Sequence, residues 1–322
     1  MQEGVCGEKM LWVILCLAIL AGAGCSNKLD PRYAVAVGST HGCALDWQGR
    51  VVCWGGTQQG QEEGIPGYQQ QFEAIFAKGD STCAIQQKDQ TLYCWGNRRQ
   101  GQFDGLPGKQ KVREVAMGLQ HSCALKKDRT LACFGNRSRG QDNDLPPAST
   151  RFFQLSCGNY HCCGIVAQDH SVACWGDNNQ GQRADMPNPD IQFQAISAGV
   201  AHTAAVDMAG RVWLWGNNQH AQRQGMPTVN AKFTNVWAGG YHTCVQRPDL
   251  TLYCFGNDSA QQVRTLPKNG VWQTFDAGLW NSCGIDLGGR IQCFGDKSRN
   301  QTLDIPPQTL WPVAQADPIP EA

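Results

Sequence analysis

An aromatic residue followed by glycine recurs seven times in this chain. The copies are Trp54-Gly55, Trp95-Gly96, Phe134-Gly135, Trp175-Gly176, Trp215-Gly216, Phe255-Gly256 and Phe294-Gly295, at intervals of 41, 39, 41, 40, 40 and 39 residues. A second glycine keeps step upstream, at Gly38, Gly79, Gly118, Gly158, Gly199, Gly239 and Gly278. A period in this range marks a propeller or another stacked array, because one such unit cannot bury its hydrophobic face alone. The spacing predicts an all-β, seven-bladed β-propeller over residues 33–314.

Each unit repeats one order of signals. A short apolar strand such as Phe193-Gln194-Ala195-Ile196 runs to the upstream glycine, and a G-x-x-H turn leads into a second strand such as Cys123-Ala124-Leu125. A polar turn and a third strand such as Leu131-Ala132-Cys133-Phe134 follow, then an irregular N-x-x-G-Q stretch and an apolar-Pro step, as in Leu106-Pro107. Three or four strands per unit are expected, arranged radially so that only short, protected edges remain. The recurring glycines are read as tight turns of positive φ.

Cysteine usage sets the compartment. The chain has 17 cysteines and no CxxC knuckle, so the pattern favours disulfides in an oxidising environment over metal sites. The expected bonds are Cys43–Cys53, Cys83–Cys94, Cys123–Cys133, Cys163–Cys174, Cys244–Cys254 and Cys283–Cys293, each across the hairpin of strands two and three. Blade five has Ala204 and Leu214 at these places, and losing both partners together supports the pairing. Cys157 and Cys162 are left over in blade four and are candidates for a seventh bond.

The N-terminus fits export. Met10 to Gly24 is an apolar run of fifteen residues preceded by Lys9, short for a membrane span and suited to a signal-peptide core. Residues 1–24 are therefore read as a signal peptide, 25–32 as a linker and 315–322 as a C-terminal tail. Ala21-Gly22-Ala23 suits cleavage, while Gly22-Ala23-Gly24-Cys25 loosely resembles a lipobox with Cys25 as the lipidated residue. Lys plus Arg and Asp plus Glu are 27 each, so no net field draws nucleic acid or an anionic membrane. Contact with a membrane is expected only through a lipid on Cys25.

The pattern G-x-x-H-x-C-A-L…V-x-C-W-G-x-N-x-x-G-Q…P resembles the regulator of chromosome condensation repeat. Blade one shows it as Gly38, His41, Ala44-Leu45, Trp54-Gly55, Gly60-Gln61 and Ile65-Pro66. The paired cysteines depart from the nuclear members and are more like secreted bacterial relatives or crinkly-type receptor ectodomains. The resemblance implies the propeller and leaves function open, because the shared residues are structural.

His41, His121, His161, His202 and His242 recur at one position, with Thr82 and Asn281 in their place in blades two and seven. A metal ring is the sharp reading and a hydrogen bond locking each turn the plain one. Nucleophile elbows, zinc motifs and phosphate loops are missing from the sequence, so no enzyme activity and no cofactor are expected. What varies between repeats points elsewhere. Within G-x-x-H, blades four, six and seven place Tyr160, Tyr241 and Trp280, large aromatics that a turn does not require and that suit binding anchors. Arg98, Arg99, Arg137, Arg139 and Arg299 are read as a second patch on the opposite face. The expected function is non-catalytic extracytoplasmic binding, first of a protein. Inhibition of a secreted enzyme, as in a β-lactamase-inhibiting relative, and glycan binding are the alternatives.

Overall fold

The computed structural model describes residues 34–298 except 228 and 229, together with 301, 302 and 305. The signal peptide, linker, tail, Cys25 and Arg299 of the preceding section lie outside the described residues. The described residues form seven three-stranded antiparallel sheets, each from consecutive strands, running from Val35–Val37 in blade one to Ile291–Gly295 in blade seven. The irregular N-x-x-G-Q stretch takes the place of a fourth strand. The middle strands are buried along nearly their whole length, while the outer strands are mostly half-buried.

The core lies between blades. Ala74 and Ile85 of blade two pack with Val112, Val115 and Phe134 of blade three. Ala34, Val35 and Trp54 of blade one pack with Ile285 and Ile291 of blade seven, which closes the ring. The aromatic-Gly residues are core as expected: Trp95, Trp175 and Trp215 are fully buried. Truncating any of them to alanine would cost about 3–5 kcal/mol.

All six expected hairpin disulfides are present, and Cys157–Cys162 is a seventh. Adjacent side chains on a strand point to opposite faces. Cys162 therefore bridges to Cys157 on the inner strand while Cys163 bridges to Cys174 on the outer one. In blade five Ala204 stands opposite Leu214 at the bridge position.

The register corrects the reading of the upstream glycines. In blade three Met117 pairs with Ser122, and in blade two the equivalent pair is Ala77 with Thr82. Lys78, and not Gly79, therefore takes the place of Gly118, and Ser81, not Thr82, takes the histidine place opposite Gly96. Nor are these ring glycines explained by positive φ, which appears at Gly79 but not at the other six. The reason is close approach. A Cβ on Gly118 would lie 2.6 Å from His121 Nδ1 and 2.8 Å from the Gly158 carbonyl oxygen. The positive-φ expectation does hold for the glycine after each aromatic, from 89° at Gly216 to 106° at Gly256.

Inner strands are sheet edges, and each buried edge needs partners for its N–H groups. Side chains of the preceding blade supply them. Ala198 N donates to Ser156 Oγ at 2.8 Å, Ala238 N to Ser197 Oγ at 2.8 Å, and Val37 N to Asp276 Oδ2 at 2.7 Å. Lys78 Nζ crosses the central opening to the Ala198 carbonyl at 3.3 Å. Burial lowers its pKa and Asp276 partly restores it, while burial raises Asp276 to about 6.

Candidate binding groove on the loop face

The strand order fixes which loops share an end. Each middle strand begins opposite the glycine that ends its outer strand, as His161 opposite Gly176. The G-x-x-H loops and the N-x-x-G-Q stretches consequently meet at one end of the ring, joined by Asn136 N to Gln120 O at 2.8 Å and Asp177 N to Tyr160 O at 2.9 Å. Arg98, Arg99, Arg137 and Arg139 thus stand on the same face as Tyr160, Tyr241 and Trp280. The expected opposite-face patch is overturned by the antiparallel geometry.

The N-x-x-G-Q glutamines make this face rigid. Gln141, Gln182 and Gln222 are buried, and their Oε1 atoms accept from the backbone N–H two residues before, at 2.8 to 3.0 Å. The loops are held by internal bonds and can present side chains without ordering on contact.

A groove of about 710 Å³ runs across blades four, five and six. Tyr160 stands at one side and Tyr241 at the other, with Val200 and Ala201 of blade five between them. The groove exists because blade five places alanine where its neighbours place tyrosine. Arg139 stacks on Tyr160 with its guanidinium 5.0 Å from the ring centroid. His220 meets Tyr241 edge-on at 4.5 Å, and Trp280 packs against Tyr241, also at 4.5 Å. Two of the three expected aromatics therefore line one groove, and Trp280 buttresses the second.

Sequence reasoning missed the rest of the lining. Asp177, Asn179 and Gln180 come from blade four and Asn217, Gln219 and His220 from blade five, all within the N-x-x-G-Q stretch. The signal that could have found the groove is the Tyr160–Ala201–Tyr241 alternation at one repeat position.

The histidine ring is structural. All five histidines are buried, and each Nε2 reaches the next blade: Thr82 at 2.8 Å, Thr203 at 3.0 Å, Thr243 at 3.1 Å, Ser282 at 2.7 Å, and Cys162 Sγ at 3.2 Å from His121. Burial lowers their pKa to about 4 for His41, His121 and His242, and about 3 for His161 and His202. His121, Cys157 and Cys162 stand close enough to share a metal ion, but both sulfurs are committed to one disulfide and offer no thiolate.

Residues 112–141 and 154–182 match the family model of the regulator of chromosome condensation repeat. Those two stretches, in blades three and four, are regulator of chromosome condensation repeats. The matched stretches contain His121, Cys123–Cys133, Tyr160 and the Gln141 and Gln182 loop locks. No curated protein is similar enough in sequence to count as a relative. Among solved structures, the crinkly ectodomain of an Arabidopsis thaliana receptor kinase is 23% identical with a TM-score of 0.70, covering 86% of this chain and 98% of that one. The entire ectodomain of a Physcomitrella patens receptor kinase is 24% identical with a TM-score of 0.69, covering 82% of this chain and 73% of that one. Prp20p of Saccharomyces cerevisiae, described for its binding to Gsp1p and histones, is 17% identical with a TM-score of 0.63, covering 76% of this chain and 80% of that one. At these identities the likeness is one of fold.

Proposed function

We propose that this repeat propeller is a non-catalytic, extracytoplasmic binding module that engages a protein partner through the groove between blades four and six. The observation that carries the reading is the pairing of Tyr160 and Tyr241 across a rigid groove of about 710 Å³. Half-buried aromatics on a preorganised surface lose little entropy on contact and are the usual anchors of interfaces. Seven disulfides support an oxidising compartment. Two of the structurally similar propellers are receptor ectodomains, and the yeast one binds proteins. A secreted enzyme is one class of partner, which a β-lactamase inhibition assay tests directly. A glycan is the second reading, favoured by the side-chain amides of Asn179, Gln180, Asn217 and Gln219, which suit hydroxyl groups.

The test is affinity capture from the native host's envelope or secretions, comparing the parent with a Tyr160→Ala/Tyr241→Ala/Trp280→Ala variant. The variant is expected to melt like the parent and to lose the captured protein, since truncating an anchor costs about 2 kcal/mol or more of binding. Equal capture by both proteins places the site elsewhere. A glycan array run on the same pair separates the two readings.

A further inference from the structure

Ten large hydrophobic side chains are exposed among the described residues, and they divide into two sets. Ile65, Leu106, Leu145, Met186 and Met226 each precede a proline at the same repeat position, so the scaffold accounts for them. Of the other five, Trp47, Met208 and Leu287 share one turn position that holds Gln87, Lys127, Ala167 and Pro248 in the remaining blades, so the scaffold does not call for a large apolar side chain there. The five are Trp47 at 60% exposure, Tyr68 at 80%, Met208 at 47%, Leu250 at 36% and Leu287 at 45%.

All five stand at the end of the ring opposite the groove. Trp47, Met208, Leu250 and Leu287 occupy turns between middle and outer strands, in blades one, five, six and seven. Tyr68 precedes the first strand of blade two and lies under the Arg50 guanidinium, 5.7 Å from its ring centroid. The corresponding turns of blades two to four carry Gln87, Lys127 and Ala167. The apolar set is thus an arc over one side of the ring.

The chain enters the propeller at this same end. The Ala34 carbonyl accepts from Leu45 N at 2.9 Å, two residues from Trp47. The 33 residues before Ala34 include the apolar Met10–Gly24 run, and nine residues separate that run from the first described one. At about 3.3–3.6 Å per residue, such a tether keeps this end within about 30 Å of any bilayer that holds the run or a lipid on Cys25. Turning the groove to the bilayer would require the tether also to climb the height of a blade, about 20 Å for a six-residue strand.

We infer that the Trp47 end of the propeller rests on a lipid bilayer surface, with the groove directed away from it. Tryptophan and tyrosine favour the headgroup region because one edge of the ring is polar and the body apolar. A handful of interfacial side chains binds weakly alone and holds when a second anchor is present, the part that a lipid on Cys25 would take.

The experiment uses the full chain bound to phosphatidylcholine–phosphatidylglycerol vesicles with brominated acyl chains, which quench tryptophans at the headgroup–acyl boundary. It is read on protein recovered with the vesicles by flotation. A Trp12→Phe background removes the tryptophan of the apolar run. Part of the remaining fluorescence should be quenched. That part should vanish in Trp47→Phe and persist in Trp280→Phe, a substitution on the groove face. Absent quenching, or quenching that Trp47→Phe leaves unchanged, overturns the inference. Sedimentation of the same protein without vesicles gives the other refutation: dimers abolished by Trp47→Ser/Tyr68→Ser/Leu287→Ser would show that a second copy covers the arc.

Discussion

Lowering the pH should unfold this propeller through its histidine ring. The five ring histidines are buried, with pKa values of about 3 to 4 in the folded chain against 6.5 unfolded. The folded state binds fewer protons than the unfolded one between those values, so stability is full above about pH 6.5 and declines as pH falls. For one histidine with a folded pKa of about 4, going from pH 8 to pH 5 removes ~2 kcal/mol. Five such groups approach ~10 kcal/mol, comparable to the whole stability of an ordinary domain. Asp276 acts in the opposite sense. Its folded pKa is raised to about 6, so protonation over the same interval returns ~1 kcal/mol. Calorimetric melting from pH 8 to pH 4.5 with the disulfides intact should therefore show a steep fall in Tm below pH 6.5. His202→Asn copies the residue that blade seven already uses at Asn281, and should flatten the fall by ~2 kcal/mol at pH 5. A Tm constant from pH 8 to pH 5, or an unchanged slope in His202→Asn, would refute the assignment of acid sensitivity to the ring.

Filling the groove by Ala201→Tyr should abolish partner capture and leave Tm within a few degrees of the parent, because Ala201 faces the groove between Tyr160 and Tyr241. Ala204→Cys/Leu214→Cys should form an eighth disulfide, the seventh of the hairpin series, and raise Tm, by at most about 3 kcal/mol of stability, with peptide mapping confirming the bond. Gly118→Ala should destabilise by about 2 kcal/mol or more in chemical denaturation, since its Cβ would collide with His121 and the Gly158 carbonyl. Replacing the blade-four bond by Cys157→Ala/Cys162→Thr gives His121 the hydroxyl partner that His161 and His202 have. Its cost should fall below that of breaking Cys163–Cys174, and melting of the two variants side by side checks the order.

Much of this protein was legible in the chain because a repeat measures itself seven times. The period fixed the blade count, the cysteine spacing fixed six bonds, and the joint loss at Ala204 and Leu214 identified the bonded pair in the others. Tyr160 and Tyr241 stood out as departures from a shared scaffold, and they do line one groove. Other features needed three dimensions. Lys78 replaces a ring glycine, yet in sequence Gly79 lies beside it and imitates the motif one residue late; only strand register separates them. The ring glycines are required by contact with histidines and the next blade, which no local turn signal reports. The arginines share a face with the aromatics because antiparallel strands bring the end of one beside the start of another. Seven copies in sequence decide that blades form and how many. What neighbouring blades do to each other is decided by packing, because the groove, the edge caps and the histidine bonds join residues about forty positions apart.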